Sequence, residues 1–340
     1  MPSDDLPAIS IIIPVYNTLT YLEGCLNSVL KQTLKNIEII CIDNGSTDGS
    51  QIILNDYSRR YKNIRVLDGS KKKGPGGARN LGLDHARGEY IGFVDSDDFV
   101  DEIMFERLYS CAKDSASDIA ICNVISFNDQ NGESKSIYYV KKSPNKYEIV
   151  NLEDEPRLLN NTTSWNKIYS TNLINKLNLR FPEGCLQEDY YFVIIALIYS
   201  IKIALLPETY YHYRKSRKGS NTTERGDSNF HIFEIMKSMN SFISTHPISS
   251  LRQNLINESQ IIKLIKLYHS SPGNYQKCYW NEIHKKFHLI PQPPHYRLLR
   301  TNEQREYKFI LKSNHLIYQI FIFMRSTYGS IKTLLGLKNQ

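Results

Sequence analysis

The stretch FVDSDDF, residues 93–99, sets Asp95, Asp97 and Asp98 side by side directly behind an apolar run. Carboxylates this close repel one another, and a divalent cation is one partner that relieves the repulsion. Asp95-Ser96-Asp97 offers hard oxygen ligands in a tight turn, the donor set that suits Mg2+ or Mn2+, and such sites are commonly completed by substrate phosphates. Short acidic turns are also ordinary surface features, so the triplet alone does not decide. A second acidic pair, Glu188-Asp189 in CLQEDYYF, opens a long apolar run. An alcohol attacks well only when a base takes its proton, and a partly desolvated carboxylate gains basicity for that task. A helix N-terminus or a nearby metal pushes the other way. His212, Arg214, Lys215 and Arg217 follow the last strand signal and could close over a diphosphate. His212 is also a candidate metal ligand, against the plainer role of a structural histidine among tyrosines.

These groups need a frame that brings distant segments together. The first half alternates strand and helix signals. ISIIIPV is a buried-strand run rich in β-branched residues, and Thr20 with Glu23 makes a capping box for a helix to about Gln32. IEIICID (37–43) is a second strand, followed by the turn NGSTDGS and a helix through Tyr61. IRVLD (64–68) is a third; Gly74-Pro75-Gly76-Gly77 then breaks the chain before a helix that Gly88 caps. YIGFVD (90–95) and DIAICNVISF (118–127) are the fourth and fifth. Strands separated by single helices predict right-handed βαβ units: an α/β fold, a mostly parallel sheet with helices on both faces. Ligands of such sheets bind beyond the carboxyl ends of the strands. Pro14–Asn17, the Asp43–Ser46 turn and Asp95–Asp98 each follow a strand end, so all three are expected at one crevice.

Composition narrows the class. The chain has 340 residues, 41% hydrophobic and 23% charged, ordinary for a globular protein. Its net charge of +7 is uneven: from Gly226 onward there are 15 Lys and Arg against 6 Asp and Glu, leaving residues 1–225 at −2. A basic excess confined to the last third argues against a nucleic-acid-binding surface. The six cysteines are scattered, without a C-x-x-C pair, and Cys41 and Cys122 fall in apolar runs; a reducing, cytoplasmic setting is expected. The start, MPSDDLPAIS, lacks a signal-peptide pattern. YYFVIIALIYSIKIALL (190–206) approaches the length of a membrane span, but Lys202 within it and the acidic pair before it predict a buried helix to about Ser200, then a strand Lys202–Leu205 ended by Pro207. Beyond about Asp227 helical patterns take over, with a break at PQPPH (291–295). Ile317, Ile320, Phe321, Met324, Tyr328, Ile331 and Leu335 keep to one helical face, on a stretch with no acidic residue after Glu306. Such a basic amphipathic helix could lie on an anionic membrane as a peripheral contact, or pack on its own domain or in a homo-oligomer.

The ordered motifs ISIIIPVYN, IEIICIDNGSTDGS, GGARNLGLDHARGEYIGFVDSDD and CLQEDYYF resemble those of the family 2 glycosyltransferases, enzymes of the GT-A, Rossmann-like fold that use nucleotide-sugar donors. The resemblance is dense over residues 8–126 and returns at SWNKIYS (164–170) and YYHYRKSRKGS (210–220). It implies a catalytic domain over residues 1–225, with nucleotide-sugar binding in about 1–126 and the acceptor side in about 127–225, before a helical, basic region 226–340. Pro14, Val15, Tyr16 and Asn17 would frame the base. Asp43, with Asn44, Gly45 and Ser46, would accept from a base N–H or a ribose hydroxyl. Arg79 would reach the nucleotide phosphates, or pair structurally with the aspartate cluster. The resemblance makes Asp97 the direct metal ligand and sets Asp95, beside Ser96, near the ribose or a metal-bound water. Asp98 either acts directly or caps the following segment. Asp189 is the implied base and Glu188 positions the acceptor.

The resulting expectation is a Mn2+- or Mg2+-dependent, inverting enzyme moving a sugar from a UDP-sugar to a saccharide hydroxyl, free or lipid-linked, in surface-glycan assembly such as capsule or lipopolysaccharide. Two rival enzymes fit less well. A nucleotide-sugar pyrophosphorylase would show a glycine-rich basic loop after the first strand, which PVYNTLT lacks. An NAD-dependent enzyme would show G-x-G-x-x-G after a strand. A catalytically inactive nucleotide-sugar-binding or scaffold subunit remains as the alternative of another class.

Overall fold

The computed structural model describes residues 6–128, 132–140, 147–215, 227–291, 296–319 and 322. The chain divides into two compact units, residues 1–224 with 233–246, and residues 225–232 with 247–340.

The first unit is built on one mixed sheet. Its strands are β1 (Ile9–Val15), β2 (Ile37–Asp43), β3 (Ile64–Asp68), β4 (Tyr90–Phe93), β5 (Phe99–Val100), β6 (Ile119–Asn128), β7 (Ser134–Ile137), β8 (Glu148–Val150), β9 (Lys167–Ser170) and β10 (Ile203–Lys215). The helices are α1 (Leu19–Leu30), α2 (Ser50–Arg60), α3 (Gly74–His85), α4 (Met104–Ser115), α5 (Thr171–Lys176), α6 (Glu188–Tyr199) and α7 (His231–Thr245). The sheet order is β3-β2-β1-β4-β9-β6-β10-β5, with β7 added to β6 and β8 to β10. The β3-β2-β1-β4 block is wholly parallel. β1 and β2 are buried almost throughout, as continuous β-branched runs inside a two-sided sheet must be. Cys41 and Cys122 lie buried in β2 and β6, and none of the six cysteines forms a disulfide.

Several local expectations change. Strand β9, not foreseen from the sequence, runs antiparallel between β4 and β6 and divides the parallel block from the rest. The Thr20–Glu23 capping box is not what opens α1. Asp48, from the loop after β2, accepts from the Leu19 N–H at 2.9 Å and from the Ser50 N–H at 3.0 Å, so one carboxylate serves the starts of α1 and α2. The Gly74–Gly77 run is the first turn of α3 itself, with Pro75 where a missing N–H costs no helical bond. The helix ends at His85, and Gly88 is required for close packing: a Cβ there would lie 2.4 Å from the Ser10 amide nitrogen. The strand after α6 does not stop at Pro207. β10 continues to Lys215 because its pairing with β6 shifts register between Leu205 and Tyr211, which accommodates a residue with no N–H to donate.

The second unit contains α8 (Ser250–Ser270), α9 (Gly273–Leu289) and α10 (Thr301–Lys312). Fully buried Glu258 of α8 accepts from the backbone N–H groups of Arg297, Leu298 and Leu299, fastening the segment that leads into α10. Among the described residues no helix is long and apolar enough to cross a membrane. Most of the break at 291–295, Arg217, and the basic amphipathic segment beyond Gln319 apart from residue 322 lie outside the described residues.

The packing yields a paired prediction. Gly88→Ala should destabilise by about 1–3 kcal/mol, because its Cβ meets backbone that cannot move aside. Gly24→Ala, on α1 with nothing near the new methyl, should stabilise by about 0.5–1 kcal/mol. Urea denaturation of the two variants checks both signs.

Candidate functional site

Three strand-end turns meet at the carboxyl edge of the β2-β1-β4 block. The Asn44 N–H donates to the Val15 carbonyl at 2.8 Å, holding the turn after β2 against the end of β1. Asn17, at φ +51°, donates its N–H to Ser46 Oγ and accepts from the Thr47 N–H at 2.8 Å. Thr18 Oγ1 donates to Ser96 Oγ at 3.1 Å, tying this pair to the turn after β4. Pro14 is half-buried, Val15 fully buried, and Tyr16 is 55% exposed, an open aromatic face at the rim. Asp43 is buried and accepts from the Ser46 N–H at 3.0 Å through Oδ1, across the turn containing Asn44 and Gly45.

The three aspartates after β4 have separate surroundings. Asp98 turns inward: it is 1% exposed and accepts from the Tyr211 hydroxyl at 2.8 Å and the Arg214 N–H at 2.7 Å. Burial, with Asp97 and Asp95 adding repulsion, raises its pKa well above the carboxylate range. Tyr211 also accepts from the Asp95 N–H at 3.1 Å, and its ring stacks on Trp165 at 4.1 Å. Asp97 and Asp95 remain half-exposed. Arg214, its guanidinium over the rings of Tyr21 and Phe127, donates Nε to the Asp97 carbonyl at 2.7 Å. His212 lies on the same face of β10 as Arg214; its Nε2 is 2.8 Å from Asp101 Oδ1, and its ring stacks on Phe99 at 4.4 Å. Lys215 ends β10, exposed.

Arg79 joins this turn to the second acidic pair. Its guanidinium is 4% exposed and reaches Asp95 Oδ1 at 2.8 Å, Glu188 Oε1 at 2.7 Å and Asp189 Oδ1 at 3.3 Å. Burial alone would lower the Arg79 pKa, but Asp189, Asp95 and Glu188 together raise it, so the charge is fixed. Gly76 permits the approach of α3 to α6: a Cβ there would lie 2.4 Å from the Pro182 carbonyl oxygen and 3.2 Å from Glu188 Cγ. Glu188 is pushed up to about 7 by burial, then by Asp189, against the opposing pull of Arg79. Asp189 is also raised, chiefly by burial, with Arg79 opposing and Asp95 adding to the rise. Gln187, at φ +77°, turns the chain into α6 so that both carboxylates open its first turn.

Sequence reasoning named the residues at these three turns, and Arg79, Glu188, Asp189 and His212. It did not assign roles to Tyr211, Trp165, Ser164 or Lys167, although the last three stand inside the quoted stretch SWNKIYS. Ser164 and Lys167 are fully buried at the start of β9, a burial readable only once that strand is placed in the sheet.

The family model described as glycosyl transferase family 2 matches residues 10–177. The chain belongs to glycosyltransferase family 2. It is 30% identical over 314 residues to glycosyltransferase GlyA of Streptococcus pneumoniae, covering 90% of this chain and 44% of that protein. It is 31% identical over 264 residues to the poly(ribitol-phosphate) beta-glucosyltransferase of Bacillus spizizenii, covering 76% of this chain and 39% of the relative. The chain therefore spans less than half the length of these two relatives. The fold matches residues 1–349 of S. aureus TarS, crystallised with UDP-GlcNAc, at a TM-score of 0.71 and 23% identity over 83% of this chain and 81% of that one. The architecture is thus the GT-A fold, a central, mostly parallel sheet followed by a helical region.

The shared cation has a measurable consequence for this family 2 site. Glu188 titrates above its ordinary 4.5 when folded, so its protonation stabilises the fold at low pH and that contribution is lost as pH rises through about 7. Arg79→Met removes the charge that opposes this shift. The variant should lose about 3–5 kcal/mol near pH 8. It should lose less near pH 5, where the carboxylates can take protons. Denaturant titrations across that range are expected to show a steeper decline with pH than wild type.

Proposed function

We propose that the first unit is a metal-dependent, inverting glycosyltransferase that moves a sugar from a UDP-sugar to a saccharide hydroxyl during assembly of a surface glycan. The observation that carries this reading is the Arg79 cluster, which brings the turn Asp95–Asp98 against Glu188 and Asp189. A diphosphate-binding edge and a pair of candidate bases therefore face one space. The family supplies the reaction class. UDP is the nucleotide carried by the TarS complex, and the glucosyltransferase relative names a surface polymer as acceptor.

In this reading Pro14–Asn17 and Asp43–Ser46 hold the nucleotide, with Asp43 accepting from the base or ribose. Among the described residues no three His, Cys, Asp or Glu side chains stand close enough to hold a metal unaided. That fits Mg2+ or Mn2+, which is commonly held by one or two carboxylates and completed by substrate phosphates. Asp97 would hold the ion with Asp95 beside it, and His212, the other candidate from the sequence, keeps its Nε2 on Asp101 rather than completing a set of three. When bound, the ion stabilises negative charge on the departing diphosphate. Asp189, its side chain 25% exposed and made more basic chiefly by desolvation of the carboxylate, takes the proton of the acceptor hydroxyl. The acceptor oxygen forms the new bond to the anomeric carbon as the bond to the diphosphate oxygen breaks. Glu188 positions the acceptor. One displacement without a carboxylate nucleophile inverts the anomeric centre.

Thermal denaturation with UDP-, GDP-, CMP- and TDP-sugars, with and without Mn2+, tests the donor side. A UDP-sugar at a hundredfold excess over Kd should stabilise by about 2.7 kcal/mol. The effect should need Mn2+ and vanish in Asp97→Ala. Asp189→Asn should keep that stabilisation while turnover falls about 10²–10⁴-fold. A folded protein that no donor stabilises would favour the scaffold subunit instead.

We also propose that the basic segment after Glu306 contacts an anionic membrane, which would suit a lipid-linked acceptor. Flotation with phosphatidylglycerol vesicles should weaken when Arg325, Lys332 and Lys338 are changed to Gln, and unchanged binding would remove this part of the reading.

A further inference from the structure

The turn after β4 is held residue by residue. The Asp98 N–H donates to the Asp95 carbonyl at 3.0 Å and closes it. Arg79 takes the Asp95 carboxylate, and Thr18 Oγ1 donates to the Ser96 hydroxyl. Tyr211 and the Arg214 N–H share the Asp98 carboxylate. Asp97 is held through its main chain: Arg214 Nε donates to its carbonyl at 2.7 Å.

The guanidinium that makes this bond is itself clasped. It lies 4.6 Å from the ring centroid of Tyr21 on α1 and 4.7 Å from that of Phe127 on β6. Phe127 stands opposite Arg214 in the parallel register of β6 and β10, so the two side chains share one face of the sheet. Phe99 packs on Phe127 at 5.2 Å and His212 stacks on Phe99, which extends the same aromatic floor from β5. That phase follows the register shift between Leu205 and Tyr211; a slip of one residue would turn Arg214 to the other face, away from Phe127. An apolar side chain at 214 could fill the space between two rings. What arginine adds is a rigid N–H edge directed at the Asp97 carbonyl.

We propose that Arg214 is a positioning residue for the divalent cation of the donor site: a guanidinium fixed between two rings that holds the Asp97 backbone, and through it the carboxylate that meets the ion. This rests on the reading of Asp97 as the metal ligand. It assigns Arg214 a different task from the one its place in the sequence suggests, direct contact with the diphosphate. Lysine is a poor substitute for that task, because only a planar group can lie between the rings and donate from its edge.

The test reads binding and needs no turnover. Calorimetric titration of UDP into full-length protein, once in saturating Mn2+ and once in EDTA, gives the factor by which the ion strengthens nucleotide binding. In Arg214→Lys, which keeps the charge and loses the planar edge, that factor should fall about 10–100-fold. The affinity in EDTA should stay near wild type. Tyr21→Leu removes one ring and leaves Arg214 in place, so it should lower the same factor by less. Arg214→Lys with an unchanged factor overturns the proposal. A loss in EDTA as large as the loss in Mn2+ marks direct contact with the diphosphate or a merely structural arginine, and overturns it too. If Arg214→Lys does not fold, Tyr21→Leu decides, and an unchanged factor there has the same meaning. A wild type whose UDP affinity is indifferent to Mn2+ sinks the metal reading itself and this inference with it. A wild-type factor that survives in Arg214→Lys leaves the metal reading standing and removes only the role of Arg214.

Discussion

The constraint on which the site depends is the sharing of one buried guanidinium among three carboxylates from two distant segments. Asp95 lies in the turn after β4, while Glu188 and Asp189 open α6 nearly a hundred residues later, and Arg79 on α3 binds both groups. Removing charges from water costs several kcal/mol each, so none of these groups would remain buried and ionised alone. Arg79 cannot lose its proton at any ordinary pH, which makes it a fixed counter-charge rather than a titrating one. Its position follows from glycine: only a residue without Cβ at Gly76 lets the first turn of α3 approach the loop that leads into α6.

Around this point the sheet separates roles among acidic residues that look alike in sequence. Asp98 is drawn into the core by Tyr211 and the Arg214 amide, and burial raises its pKa. Asp95 is committed to Arg79. Asp97 stays at the half-exposed surface with its backbone carbonyl pinned by Arg214. The stack of Trp165 on Tyr211 then couples this turn to the segment beneath Asp189. The two chemical halves of the site are therefore joined on one side by an ion-pair network and on the other by packed rings, which limits how far either can shift alone.

Much of this was legible because it is local. Asn17, Asp43 and Asp95 each sit at or just past a strand end, which implies one crevice by topology alone, and the motifs around them carry the family. What was not legible depends on non-local packing. The four residues of β9, KIYS, show no clean alternation, and its insertion between β4 and β6 appears only in the sheet. Gly88 reads as a helix cap, whereas its need arises from Ser10, far away in sequence. Pro207 reads as a strand end, and a register shift against β6 carries the strand past it. In each case the residue type was noted correctly and its partner was beyond the range of any periodicity. The charge on Arg79 was foreseen near the aspartates of β4, but its hold on Glu188 required the path of α3 over α6.

The arrangement also bears on why a metal would be borrowed rather than kept. In the proposed reading the ion would be held by few protein groups, because Asp98 is engaged by Tyr211 and the Arg214 amide and Asp95 shares its carboxylate with Arg79. Arg79 supplies a fixed positive charge beside these carboxylates. What these contacts leave at the surface is the Asp97 turn, with limited ligand capacity of its own, and that is the condition under which an ion binds well only together with diphosphate oxygens. Affinity for metal and affinity for donor would then be two readings of one coupled event, with the buried arginine setting the baseline charge against which both act.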